Sequence, residues 1–322
     1  MYQRMLVPLD GSELAEVVFT YAKELAGRLD LDIILLHVAR QAAENTLPMR
    51  KAYIERAVEV IQRQSQEIQD KTAAKKEGKP IDVRGEVVIG YAADEILRFA
   101  DENKVDLILM ATHGRSGIKR WTMGSVADKI LRVTKIPVWL VRAGMPDEIV
   151  YGQWPTTTIL LPLDGSEQAE SVLPHAETLA KQRGIEQVDV VLLRVCEPPS
   201  RPSYYLAEPG VTYAPLSEPE AIESHINWQK YIEGEMVKSK QVAGEYLEKV
   251  EKRFKDSNIS VRSEILEGRA AEEIVEYANK NPFNLIVMST HPRSGLRRLV
   301  YGSVTENVLQ GVNRPVLLVR TD

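Results

Sequence analysis

One cysteine, four phenylalanines and five histidines are spread over 322 residues. The lone Cys196 excludes a disulfide within the chain and fits a reducing compartment. It follows an apolar run, so a buried thiol is the expected state. So few histidines and cysteines show no metal-ligand spacing, and no Ser-His-Asp or Cys-His pattern stands out. The Gly-x-x-x-x-Gly-Lys-Ser/Thr phosphate loop of typical ATPases does not occur. A cationic excess is missing too: 41 Lys and Arg against 46 Asp and Glu leave a net charge of −5. That removes the electrostatic case for nucleic acid as a partner. No run reaches the roughly eighteen apolar residues of a membrane span. An apolar strand is expected from Arg4 to Leu9, leaving no room for a signal peptide before it. The expected location is cytoplasmic.

What is present is duplication. Pro8-Leu-Asp-Gly-Ser-Glu13 returns letter for letter as Pro162-Leu-Asp-Gly-Ser-Glu167, 154 positions later. Residues 106–141 and 284–319 share 17 of 36 identities at an offset of 178. Leu35-Leu-His-Val38 matches Leu192-Leu-Arg-Val195 at 157, so most of the extra length in the second copy follows Val195. Each copy is long enough to bury its own core. The expected domains are 1–143 and 156–322, joined by a linker, Ala143 to Thr156, in which Gly144, Pro146, Gly152 and Pro155 follow in quick succession.

Each copy alternates strands and helices. In the first, strands are expected at Arg4–Leu9, Asp32–Val38, Asp82–Ile89, Val105–Met110 and Pro137–Val141. Ser12 is placed to cap a helix carrying Leu14, Val17, Val18, Tyr21 and Leu25 on one face. A long polar helix is expected over about Met49 to Lys76, with Tyr53, Ala57, Ile61 and Ile68 as its apolar stripe. A third helix covers Asp94–Asn103, and a fourth starts at Gly124. Near-continuous apolar strands alternating with helices mean a parallel sheet covered on both faces. Pro137 and Pro315 make the last strand of each copy an edge, whose obvious partner is the edge of the other copy. The segment 197–228 holds six prolines with Tyr204, Tyr205 and Tyr213. It is read as non-helical: a surface loop packed by its tyrosines, or a lid over a ligand cleft.

Chemistry is expected where Val105–Met110 runs into a basic loop with Gly114, Arg115 and Gly117, and then into a helix opened by Gly124-Ser125. Free N–H groups and the positive end of the helix dipole there suit a phosphate. Gly124-Ser125 also has a plainer reading as a serine-capped helix start. Arg115, Lys119 and Arg120, like Arg293, Arg297 and Arg298, are either phosphate partners or a solvated face. His113 is read as a loop histidine bonded to backbone or as a catalytic acid. Asp10, directly after the first strand, either faces a ligand or caps its own turn.

These residues together resemble the universal stress protein family, and the whole chain resembles its tandem two-domain form. The carrying motifs are the Pro-Leu-Asp-Gly-Ser turn, Leu-His-Val38, and the Thr-His-Gly-Arg-Ser-Gly loop followed by Gly-Ser. The resemblance implies an α/β fold: two tandem open five-stranded parallel sheets, order 3-2-1-4-5, with helices on both faces and paired as a pseudo-dimer through their fifth strands. Further homodimerisation of the chain stays open.

ATP-binding members of that family carry Gly, two residues, Gly, nine residues, then Gly-Ser or Gly-Thr. The resemblance places Ala111, Gly114, Gly124 and Ser125 at those positions. It puts Pro8, Leu9 and Asp10 near the ribose and phosphates, and Val38 beside the adenine. Arg115 and the main chain from His113 to Gly117 line the phosphates, with Met110 at the edge of the same crevice, and Gly124, Ser125 and Val126 donate to them. A nucleotide-borne Mg2+ would reach Asp10. The second copy has Ser289 and Pro292 where two glycines belong, and proline has neither the N–H nor the left-handed freedom.

The expectation is therefore a regulator that binds ATP or another adenine nucleotide mainly in its N-terminal domain, with slow ATP hydrolysis at most. The alternatives are a nucleotide-free scaffold or sensor of a different, apolar small molecule, and a slow nucleotide hydrolase.

Overall fold

The computed structural model describes residues 1–12, 16–40, 45–72, 80–112, 123–142, 156–183, 187–200, 218–290 and 302–321, with side chains of the helix that starts at Glu218 described from Asn227 onward. The first repeat runs β1 (Arg4–Leu9), α1 (Val17–Leu29), β2 (Asp32–Ala39), α2 (Leu47–Lys71), β3 (Val83–Ile89), α3 (Ala92–Glu102), β4 (Leu107–Ala111), α4 (Ser125–Val133) and β5 (Val138–Val141). The second runs β6 (Thr156–Pro162), a short α5 (Glu167–Glu170), α6 (Leu173–Gln182), β7 (Gln187–Cys196), α7 (Glu218–Asp256), β8 (Ser260–Glu267), α8 (Ala270–Lys280), β9 (Leu285–Thr290), α9 (Ser303–Gly311) and β10 (Val316–Arg320).

Strand order is β3-β2-β1-β4-β5-β10-β9-β6-β7-β8, one sheet of ten strands among the described residues. Each half has the expected order, and every pairing within a half is parallel. The halves meet antiparallel through β5 and β10, with Leu317 opposite Trp139. Each fifth strand is an edge of its own repeat, and the other repeat covers it. The outer edges are β3 and β8, where Arg84, Glu86, Arg262 and Glu267 are exposed. Charges of this kind discourage further strand addition.

Two cores lie on the two faces of the sheet, and each runs through both repeats. One packs α1, α2, α6 and α7 against alternate strand residues such as Met5, Leu35, Trp139, Leu192 and Leu317. The other packs α3, α4, α8 and α9 against Leu6, Leu36, Leu140, Leu193 and Leu318. The alternation follows from the two-residue period of a strand.

Local differences from the sequence reading have physical causes. Ser12 does not cap α1: its N–H and Oγ both donate to Asp10 Oδ1, at 2.9 and 2.6 Å, and the helix starts at Val17 with Glu16 at its N-cap. Leu14 lies outside the described residues. In the second repeat Ser166 makes the same bonds to Asp164, and its Oγ also accepts from Ala169 N, capping α5. The buried stripe of α2 is Ile54, Ala57, Ile61, Ser65 and Gln69 rather than one ending on Ile68. Ile68, half-buried, still packs in the close crossing of α1 and α2: a Cβ on Gly27 would sit 2.6 Å from its side chain and 2.8 Å from Ser65 O. Ser65, buried in the same crossing, has its Oγ donating back to Ile61 O.

The segment 197–228 is only partly non-helical. From Glu218 it belongs to α7, and Pro219 falls in the first turn, where a missing N–H costs nothing. Residues 201–217, with all three tyrosines, lie outside the described set. Cys196 is a buried thiol, as expected.

Gln182 ties the repeats together away from the sheet. Its Nε2 donates to Tyr2 O and Leu29 O, and its Oε1 accepts from Tyr2 N. Beside it the Tyr2 hydroxyl is hydrogen-bonded to His175 Nδ1 at 2.7 Å. Gln182→Leu keeps the volume but orphans three buried backbone groups. The expected cost is about 2–4 kcal/mol, read as a lower urea midpoint at unchanged slope.

Candidate functional site

β1 lies between β2 and β4, so the chain leaves the sheet in opposite directions there, and a crevice opens beyond the carboxyl ends. The pairing shows it opening. β1 and β4 are in register only at Met5–Leu107 and Leu6–Ile108, near the amino ends. The second repeat repeats this with Ile159–Leu285 and Leu160–Ile286. Past those rungs the central strands part.

In the first repeat Pro8 and Leu9 end β1, Asp10 stands on the turn after it, Val38 is on β2, Met110 and Ala111 end β4, and Gly124, Ser125 and Val126 stand at the start of α4. Met110 is buried, and Val38 and Val126 pack against the core beneath. Gly124 is in extended conformation, φ −62° and ψ 146°, and as the N-cap residue it has no side chain to cap the helix. Its own N–H donates to Thr112 O at 3.0 Å, so the expectation that Gly124 itself offers a donor is corrected. The remaining first-turn donors are the N–H groups of Ser125, Val126 and Ala127, which a helix leaves without intrahelical partners. His113, Gly114, Arg115 and Gly117 lie outside the described residues, as do Lys119 and Arg120.

In the second repeat the corresponding crevice is a cavity of about 430 Å³. Its walls are Pro162, Leu163 and Asp164 from β6, Leu193 and Val195 from β7, Met288 and Ser289 from β9, Gly302 to Thr305 at α9, and Ala270 and Ile274 from α8. That size suits a small organic ligand. At the repeat offsets these walls correspond to Pro8, Leu9, Asp10, Leu36, Val38, Met110, Ala111, Gly124 to Ala127, Ala92 and Ile96. The sequence reading did not name Leu36, Ala92, Ile96 or Ala127 as site residues, because apolar residues facing a crevice look like ordinary core. The repeat offsets were the signal that could have found them. The two helix starts also differ: Gly302 has φ +80°, a conformation open to glycine, whereas Gly124 does not.

Among the described residues no group of three metal-ligating side chains forms. Asp10 Oδ1 already accepts twice from Ser12. A divalent cation would therefore have to bring most of its ligands as phosphate and water. No helix of the described residues is long and apolar enough to cross a membrane.

A parallel sheet opened at its switch point, with an uncapped helix start across from an Asp-Gly-Ser turn, defines an open α/β protein whose crevice has been duplicated. The chain belongs to the universal stress protein family, whose model matches residues 1–142 and again 155–320. It is 31% identical over 144 residues to a universal stress protein of Methanothermobacter thermautotrophicus, covering 44% of this chain and 97% of that one. Against a universal stress protein of Mycobacterium tuberculosis, identity is 22% over 242 residues, 75% of this chain and 70% of the other. The crystal structure of a universal stress protein from Archaeoglobus fulgidus superposes over 98% of both chains, with a TM-score of 0.61 at 18% identity, a likeness of fold.

Proposed function

We propose that this chain binds ATP or another adenine nucleotide mainly in its N-terminal repeat and acts as a ligand-dependent regulator in the cytoplasm. The observation that carries the reading is the start of α4. By correspondence with the second-repeat cavity, where Asp164 and the start of α9 share one space, its first-turn amides are taken to face the Asp10 turn, and Gly124 at its N-cap has no side chain to cap it. Charge-assisted bonds from such amides are the strong ones, and the helix dipole adds to them. The apolar wall at Val38 suits a base. Any Mg2+ arrives with the nucleotide and meets Asp10. The asymmetry rests on Pro292 and Ser289 replacing glycines in the second loop, and on the different backbone at Gly302. Turnover is expected to be slow at most, since neither motif nor described geometry supplies a positioned base and charge clamp.

Calorimetric titration with ATP is expected to give about one site per chain, with the Gibbs energy of a micromolar complex, roughly −8 kcal/mol. Two equivalent sites, or none, would remove the reading. A second reading comes from the C-terminal cavity, whose walls are largely Leu163, Leu193, Val195, Ile274, Met288 and Val304. It accommodates an apolar small molecule. Native mass spectrometry of freshly purified protein distinguishes the two, by a co-purified nucleotide mass or a lipid-like one.

A further inference from the structure

Beneath each Asp-Gly-Ser turn lies a cationic group that neither repeat shares in kind. In the first repeat His37, 2% exposed, points to the same sheet face as Leu35. Its Nδ1 is 2.9 Å from Leu9 O. A carbonyl only accepts, so Nδ1 carries the proton and Nε2 is bare. Nε2 accepts from Arg50 Nη1 of α2, and Arg50 Nε is fixed by Thr46 Oγ1 at 3.0 Å. In the second repeat the residue at this position is Arg194, whose Nη1 donates directly to Leu163 O at 3.4 Å. A Cβ on Gly11 would meet His37 Cε1 at 3.9 Å, and one on Gly165 would meet Arg194 Nη1 at 3.5 Å. The same spot under the same turn is filled both times. Both glycines have left-handed φ, +77° and +79°, so the turns have the same shape.

We infer that Arg50, acting through His37, and Arg194, acting alone, are positioning residues: each holds the carbonyl just before the turn and so sets where the Asp10 or Asp164 carboxylate enters its crevice. For the first repeat this rests on the nucleotide reading above. The two solutions differ in chemistry. The Arg50–His37 pair works only with a neutral ring, because a proton on Nε2 turns an acceptor into a donor facing a guanidinium. Arg194 has no such state. The first repeat thus reaches the carbonyl through a neutral ring and the second through a permanent cation. Arg50 of α2 meets the His37 ring directly, and Tyr53 of the same helix interacts with Glu16 and Asp10. Tyr53 donates to Glu16 Oε1 at 3.0 Å, and burial together with Glu16 raises its hydroxyl far above the usual range. The neighbouring strands offer Leu9 and Val87 at this level.

The test is ATP titration of the full chain at about pH 7.5, where an ordinary histidine is neutral. Arg50→Met is expected to lose about tenfold in affinity. Arg50→Lys, which still donates to Nε2, recovers most of it. The double substitution His37→Arg with Arg50→Met copies the second repeat and is expected to bind as wild type does. An affinity unchanged by Arg50→Met, or a double variant that binds no better than Arg50→Met, overturns the inference. Ligand-free NMR separates it from the nucleotide reading. If wild type binds no ATP, that reading fails, while displaced Gly11 and Ser12 amide signals in Arg50→Met still support the positioning role and unmoved ones refute it.

Discussion

Ser125→Pro is expected to lower the affinity of the N-terminal repeat for ATP about a hundredfold while leaving the fold intact. Proline is favoured at the first position of a helix, where its fixed φ is already helical and no intrahelical bond is lost. The residue before a proline must be extended, and Gly124, at φ −62° and ψ 146°, already is. The substitution therefore removes one amide donor and one hydroxyl from the proposed phosphate corner without a conformational demand. Hydrogen bonds to a charged partner contribute about 1.5–3 kcal/mol each, so losing two costs about a hundredfold at the lower end of that range. Calorimetry measures the affinity, and the thermal midpoint checks the fold. An affinity within about threefold of wild type would mean the anion does not sit at this helix start. Ser303→Pro at the matching corner of the second repeat is expected to leave ATP binding unchanged.

The architecture was legible because burial on both faces writes itself into strand composition. Asp32–Ala39 is almost uninterrupted apolar sequence, and it is the second strand of a sheet packed on both sides. Pro137 and Pro315 marked the two edges that meet at the centre of the ten-stranded sheet. Boundaries set by side chains bonding to nearby backbone were less legible. Ser12 looks like a helix cap until Asp10 is seen to hold it, and Pro219 looks like a breaker until it is seen in a first turn. Long-range polar contacts left no trace at all. Gln182 reaches backbone 153 and 180 positions away, and neither contact produces any periodicity. The second-repeat cavity lies at the strand ends where the sequence pattern pointed, but its α8 wall was hidden, since Ala270 and Ile274 have the composition of core.

Trp139→Ala is expected to cost about 3–5 kcal/mol, the range for emptying a buried aromatic site. Trp139 is fully buried in β5 and stands opposite Leu317 where the repeats join. β5 is only four residues long, and all four are buried. The indole sits in the core shared by the two halves, so the cavity opens where they depend on each other. Both cores pass through this point without a break, which makes one cooperative unfolding transition the expectation for wild type. Losing the indole weakens the coupling as well as the total. Urea unfolding should then show a lowered midpoint and a broadened or split transition, with the repeats melting separately. Trp139→Phe fills most of the space and should keep the single transition. A Trp139→Ala loss below about 1 kcal/mol would show that the joint relaxes around the void, and that the repeats are held together mainly through Gln182 and the α1–α6 contact.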